Sequence, residues 1–90
     1  MKHIVVFTMD GCPHCGEFKE MLVNENIDFI EADIEENKDE YDMFVKITEN
    51  EYVPAVMIVS ESTRDAQFLA PDRDFQDLEE AITIIKESIN

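Results

Sequence analysis

Residues 4–22 read IVVFTMDGCPHCGEFKEML, in which an apolar run leads into two cysteines and then into a helical pattern. The run Ile4–Phe7 is continuously apolar and rich in β-branched residues, which is typical of an internal strand covered on both faces. Phe18, Met21 and Leu22 then recur at helical spacing with charged residues between them. This stretch therefore predicts a central strand, a short loop and a helix of about three turns.

The two cysteines of this stretch, Cys12 and Cys15, are the only ones in the chain. Pro13 suits the first helical position, because its missing N–H would have no partner there. At Cys12, unpaired backbone N–H groups and the positive end of the helix macrodipole favour thiolate over thiol. Cys15 follows one turn later on the same face, close enough to resolve a mixed disulfide. The pair predicts reversible dithiol–disulfide chemistry; two inert buried thiols are the alternative.

The middle of the chain predicts a second strand and a second helix. Ile30, Ala32 and Ile34 alternate with acidic residues, which is typical of an edge strand with one buried face. Because this strand follows a strand and a helix, we expect it to lie parallel to the first strand. A weaker apolar stripe then predicts a short helix over about Asp39–Thr48.

The last third of the chain predicts a hairpin and a third helix. Pro54 opens the apolar run Ala55–Val59, as expected for a central strand, and Gln67–Leu69 is its expected hairpin partner. An apolar stripe with alternating spacings of three and four residues then predicts a helix that packs on the sheet, with Asp74 as its N-cap. The stripe consists of Phe75, Leu78, Ile82, Ile85 and Ile89. The order of elements is β-α-β-α-β-β-α, an α/β domain that spans residues 1–90.

Composition limits the classes of partner. The chain has 22 Asp and Glu against 7 Lys and Arg, a formal charge of -15, which opposes binding to nucleic acid or to anionic lipid. We interpret most of this charge as a solvated surface, and steering toward basic partners is the narrower alternative. The short first apolar run predicts no signal peptide and no membrane span. We therefore expect a cytoplasmic, monomeric, single-domain protein.

Two segments resemble the glutaredoxin family of the thioredoxin fold. Residues 8–15, TMDGCPHC, are similar to the family's Ser/Thr-x-x-x-Cys-Pro-x-Cys, and Tyr52-Val53-Pro54 is similar to its Thr-Val-Pro. The resemblance implies a four-stranded mixed sheet flanked by three helices, with a cis peptide bond before Pro54. It also implies that Cys12 is the exposed nucleophile that attacks protein disulfides or glutathione mixed disulfides, and that Cys15 is the resolving thiol. Glutathione is then the expected co-substrate, and no cofactor is tightly bound.

His14 occupies the variable position of the motif, beside Pro13. When protonated, its imidazole adds positive charge near Cys12, which favours the thiolate and a more oxidising couple. The alternative is an exposed polar residue with no such effect. By resemblance, the surface that binds substrate or glutathione consists of Thr8, Met9, Gly11, Tyr52, Val53, Pro54, Asp72 and Asp74.

Several of the family's glutathione contacts are missing from this chain. Met9 stands where glutaredoxins commonly have Lys, Glu49-Asn50-Glu51 precedes the Val-Pro, and Ala70-Pro71 replaces Gly-Gly. Acidic residues near a tripeptide of net negative charge weaken its binding. Lys46 and Arg73 are the candidates to compensate, but the sequence does not place their side chains.

Four functions therefore stay open. The first is a glutathione-dependent oxidoreductase. The second is a glutaredoxin-like electron donor to ribonucleotide reductase that thioredoxin reductase reduces. The third is a zinc or iron–sulfur site on the cysteine pair, and the fourth is a binding module with unused cysteines.

Overall fold

The computed structural model describes residues 2–89, and a four-stranded sheet lies at its centre. The elements are β1 Lys2–Thr8, α1 Pro13–Asn24, β2 Ile30–Asp33, α2 Lys38–Thr48, β3 Ala55–Ser60, β4 Ala66–Leu69 and α3 Leu78–Ile89. The strand order is β2-β1-β3-β4. β1 and β2 are parallel, and the other two pairs are antiparallel. This mixed sheet with three helices confirms the predicted thioredoxin-like architecture.

Alternation of side chains along β1 divides the core into two layers. Ile4 and Val6 point to one face of the sheet, where they pack in one cluster with apolar residues of α1 and α3. Phe7 points to the opposite face and packs with α2. The helices therefore cover both faces of the sheet, as the continuous apolar run of β1 predicts.

Aromatic rings fix α2 on its face of the sheet. Phe44 is fully buried, and its ring lies 5.4 Å from that of Phe7 and 5.5 Å from that of Phe68, between centroids. The hydroxyl of Tyr41 donates a hydrogen bond of 2.6 Å to the carbonyl oxygen of Glu51. Burial, followed by the nearby charge of Glu51, raises the pKa of Tyr41. This hydroxyl therefore ties α2 to the loop that precedes β3.

The prediction that Ile30 belongs to a buried face is wrong. Ala32 is buried against α2 and Ile34 packs beside it, but the Ile30 side chain is 56% exposed. Ile30 is the first residue of β2, and β2 is an edge strand. Strict alternation therefore identified the strand correctly but overestimated how far the helix layer covers it.

The predicted N-cap of α3 is also wrong. The backbone N–H of Glu80 donates to Oδ1 of Asp77 at 2.8 Å, so Asp77 caps a helix that begins at Leu78. Asp74 instead accepts a hydrogen bond from the backbone N–H of Ala70 at 2.8 Å. Phe75 is buried in the core and pairs with Pro71 in an isolated bridge. The segment from 71 to 77 is thereby held outside the helix.

Candidate active site

The connection between β1 and α1 places Cys12 at a helix N-terminus. Cys12 has an extended backbone, with φ -96° and ψ 103°, and is the N-cap residue of α1, with Pro13 in the first turn. Gly11 has a φ of +76°, in the left-handed region that favours glycine, and it turns the chain from the strand into the helix. The predicted placement of Cys12 before the helix and of Pro13 in its first turn is therefore confirmed.

The two cysteines form a disulfide, and the two residues differ in burial. The Cα atoms of Cys12 and Cys15 lie 5.3 Å apart. Cys15 is 2% exposed, whereas Cys12 is only partly buried. The Cys12 sulfur also accepts a hydrogen bond of 3.2 Å from the backbone N–H of Cys15. That N–H stabilises negative charge on the Cys12 sulfur after reduction, which suits a nucleophile and a leaving group.

The loop before β3 lines one groove together with His14, the residue before Cys15. Its Val53–Pro54 peptide bond is cis, as the family resemblance predicts. The Asn50 side chain holds the loop: its Nδ2 donates to the carbonyl oxygen of Pro71 at 2.6 Å, and its Oδ1 accepts from the N–H of Tyr52 at 2.9 Å. The Asn50 amide is therefore used inside the protein, and the Tyr52 side chain is left 64% exposed.

A groove of about 840 Å³ lies between α1, this loop and the segment from residue 71 to 79. His14, Tyr52, Val53 and Pro54 line it, together with several residues that the sequence did not point to. Four of its lining side chains are acidic: Glu17, Asp72, Asp77 and Glu79. Among the residues that line the groove in the described chain there is no lysine or arginine.

A second hollow, of about 440 Å³, opens on the other side of the cysteine pair. It is lined by both cysteines, Thr8, Lys19 and Glu31, among others. The hydroxyl of Thr8 and the Nζ of Lys19 each donate to Oε2 of Glu31 at 2.9 Å. These two bonds, with that from Lys19 the stronger cause, hold the pKa of Glu31 below its ordinary value.

Lys19 and Glu31 were not predicted to be site residues, although strand register and helix spacing indicate that they lie near Thr8 and Cys15. Glu31 is the register partner of Val6 in the parallel pair β1–β2. It therefore points to the same face as Thr8, two residues further along β1. Lys19 follows Cys15 by four residues, one turn along the same face of α1.

The other residues predicted to bind substrate or glutathione lie in three different places. Met9 and Gly11 line the second hollow with Thr8, whereas Asp72 lines the groove. Asp74 lines neither, because its carboxylate accepts from Ala70 and from Nε of Arg73 at 2.8 Å. Arg73 is held there and does not line the groove, and nor does Lys46. Neither expected cation compensates for the carboxylates in the groove.

Residues 2–89 contain neither a metal-binding cluster nor a membrane-spanning helix. No group of three or more His, Cys, Asp or Glu side chains within this range is arranged to hold a metal ion. None of the helices in the same range has the length and apolar character needed to cross a membrane.

The fold and the site together define a thiol–disulfide oxidoreductase. An accessible sulfur at a helix N-terminus, a covered second sulfur one turn later and a cis-proline loop beside them are combined on a thioredoxin-like sheet. The sequence model of the glutaredoxin family matches residues 4–62, well over half of the chain. The chain belongs to the glutaredoxin family.

A solved structure shows the same fold at low sequence identity. The crystal structure of the thioredoxin-like protein BC3987 mutant T8A superposes with a TM-score of 0.62 at 20% identity, covering 97% of this chain and 99% of that one. The first two thioredoxin domains of Saccharomyces cerevisiae Eps1p match with a TM-score of 0.47 at 22% identity, covering 97% of this chain and 34% of that one. A comparison with curated proteins finds no match.

Proposed function

We propose that this protein is a dithiol reductant of protein disulfides that is re-reduced by a thioredoxin reductase in preference to glutathione. The groove beside the cysteine pair carries the proposal. Glutathione brings two carboxylates and one ammonium group, and the groove offers it four carboxylates and no lysine or arginine among its described lining residues. Charge repulsion therefore opposes glutathione at the surface where the family resemblance places it.

The reaction begins when the Cys12 thiolate attacks one sulfur of a substrate disulfide. A Cys12–substrate disulfide forms, the substrate S–S bond breaks, and the leaving thiolate takes a proton from water. Cys15 then loses its proton to water and its thiolate attacks the Cys12 sulfur, which releases the second substrate thiolate. The substrate gains two electrons and two protons, and the protein is left with the Cys12–Cys15 disulfide.

The geometry supports these separate roles. Cys12 is the more accessible sulfur, and the N–H of Cys15 stabilises negative charge on it both when it attacks and when it leaves. Cys15 is buried, so a bulky substrate reaches Cys12 first, while Cys15 stays within reach of the intermediate. No tightly bound cofactor is required, since both electrons come from the two thiols.

Glutathione dependence is the second candidate. Membership of the glutaredoxin family supports it, as does the match of Cys12-Pro13-His14-Cys15 and the Val53–Pro54 loop to the family pattern. Disulfide-containing proteins such as ribonucleotide reductase are the substrate class under either candidate. Because dithiol reductants operate in reducing compartments, we propose that the protein acts in the cytoplasm. Both thiols of the reaction belong to one chain, so we propose that it acts as a monomer.

Turnover with a neutral peptide disulfide tests the electron donor. One reaction contains glutathione, glutathione reductase and NADPH, and the other contains thioredoxin reductase and NADPH. We expect steady NADPH consumption with thioredoxin reductase and a rate at least about tenfold lower with glutathione, given the repulsion in the groove. A faster rate with glutathione would replace the first candidate with the second, and Cys12→Ser serves as the inactive control in both reactions.

A further inference from the structure

The acidic groove beside the cysteine pair has little internal charge balance. Within residues 2–89, the side chains of Asp72 and Glu79 take part in no hydrogen bond or ion pair. In the described part of the chain, Glu17 has one ion-pair partner, the His14 imidazole, whose Nδ1 lies 3.9 Å from Oε2 and which carries charge only when protonated. Asp77 is used as a helix cap, which leaves its charge in place. The groove therefore presents a negative field beside His14, the residue before Cys15, although neither cysteine lines it.

The nearby cations are committed elsewhere. Arg73 binds Asp74 and the carbonyl oxygen of Phe68. Lys19 binds Glu31 on the other side of the cysteine pair, and Lys86 pairs with Glu25. None of these three lines the groove, so its carboxylates are balanced by solvent counter-ions that a basic partner segment can displace.

Three of the four carboxylates belong to the segment from residue 71 to 79. This segment lies beyond residue 62, outside the part of the chain that the glutaredoxin family model matches. These three carboxylates therefore lie outside the matched segment, and His14 of the redox motif lines the same groove.

The shape of the groove suits an extended peptide with long basic side chains. Tyr52 stands exposed at its rim, and the partly buried apolar side chains of Met21 and Leu78 line it. Lysine and arginine bury their methylene stems on such apolar surface while their charged groups reach neighbouring carboxylates. Val53 precedes the cis bond outside both neighbouring strands, at a position where an extended partner backbone can lie beside it.

We propose that this groove binds an extended segment of a partner protein that carries Lys or Arg next to its reactive cysteine. The selected substrates are disulfide proteins with basic flanks, and glutathione and acidic disulfides are disfavoured by the same field. The inference rests on the dithiol function proposed above and adds the charge of the partner to it.

Single-turnover kinetics test this preference without any electron donor. Prereduced protein is mixed with one of three disulfide-bonded peptides of equal length, whose residues beside the cysteines are Lys, Gln or Glu. Each rate is divided by the rate of the same peptide with dithiothreitol, which removes the effect of the flanks on the disulfide itself. We expect the Lys peptide to react at least about tenfold faster than the Glu peptide at ~20 mM ionic strength, and less than about threefold faster at ~0.5 M.

A matched pair of charge variants locates the effect. The groove variant carries Glu17→Gln, Asp72→Asn and Glu79→Gln. The control variant carries Asp28→Asn, Glu36→Gln and Glu87→Gln, three exposed positions away from the groove. Both variants lose the same net charge. We expect the Lys-to-Glu rate ratio to fall below about threefold in the groove variant and to stay close to the native ratio in the control.

Equal falls in both variants would assign the preference to net charge and overturn the groove proposal. An equal rate for the Lys and Glu peptides with native protein would overturn it as well. If the Gln peptide is reduced normally in that case, the dithiol function stands and only the charge inference fails. If no peptide is reduced, the dithiol function fails and this inference falls with it.

Discussion

Replacing Thr8 with valine tests the hydrogen-bond network beneath the cysteine pair. Thr8 ends β1, is 2% exposed, and donates its hydroxyl to Oε2 of Glu31 at 2.9 Å. Valine has nearly the same shape and lacks the hydroxyl, so the substitution removes one hydrogen bond with little change in packing. Glu31 keeps its second partner, Lys19, at the same distance.

The magnitude follows from where the two groups lie. A hydrogen bond to a charged group contributes about 1.5–3 kcal/mol when it is buried. Glu31 is exposed, so water replaces part of the lost interaction, and we expect a loss of about 1 kcal/mol in the free energy of unfolding. With an m-value of about 1–3 kcal/mol/M, the urea midpoint falls by roughly 0.3–1 M.

The pH dependence gives a second readout for the same variant. The folded-state pKa of Glu31 is lowered, first by the bond from Lys19 and then by that from Thr8. Stability from such a group is fully present above its ordinary pKa of 4.5 and is lost as the pH falls through the lowered value. The gap between native protein and Thr8→Val is therefore expected in full at about pH 7 and is expected to narrow as the pH falls below 4.5.

Urea unfolding followed by far-ultraviolet circular dichroism measures both quantities, and Thr8→Ser, which keeps the hydroxyl, is the control. The reasoning is refuted if Thr8→Val unfolds at the native midpoint at neutral pH. It is refuted equally if the gap stays the same size at acidic pH, because the lost interaction would then not involve the ionised Glu31.

Three further predictions concern the redox potential, a helix cap and the core. His14→Tyr should make the Cys12–Cys15 couple more reducing by only about 4–20 mV, measured in equilibrium with glutathione. The shift is small because the imidazole is 75% exposed and Glu17 lies nearby. An unchanged potential would remove any tuning role for His14. Asp77→Ala should lower the free energy of unfolding by about 1 kcal/mol in urea titrations through loss of the α3 cap, and a neutral effect would contradict the assigned cap. Phe44→Ala should cost about 3–5 kcal/mol in the same titrations because the ring is fully buried, and a cost below about 1 kcal/mol would show that α2 does not depend on it.

Local patterns were sufficient to predict the elements and the redox pair. The apolar run from Ile4 to Phe7 marks a strand that helices cover on both faces, and Cys12 and Pro13 occupy the N-cap and first-turn positions that their chemistry favours. These features depend on residues a few positions apart. Sequence reasoning therefore predicted them correctly.

Features that depend on distant residues were missed or misassigned. Asp74 looks like an N-cap from its spacing to the apolar stripe, but burial of Phe75 and its pairing with Pro71 delay the helix until Leu78. The acidic groove brings α1 together with the segment from 71 to 79. The sequence showed only that the whole chain has more acidic than basic residues. No local pattern indicates which of the carboxylates lie on the same surface.

Trapping the mixed disulfide tests most directly the claim that Cys12 attacks and Cys15 resolves. Reduced Cys15→Ser and Cys12→Ser variants are each mixed with a peptide disulfide, and the products are followed by intact-mass and peptide-mapping mass spectrometry. The account predicts a stable one-to-one adduct on Cys12 in the Cys15→Ser variant and little adduct in the Cys12→Ser variant, because Cys15 is buried. An adduct that forms on Cys15 as fast as on Cys12 would contradict it.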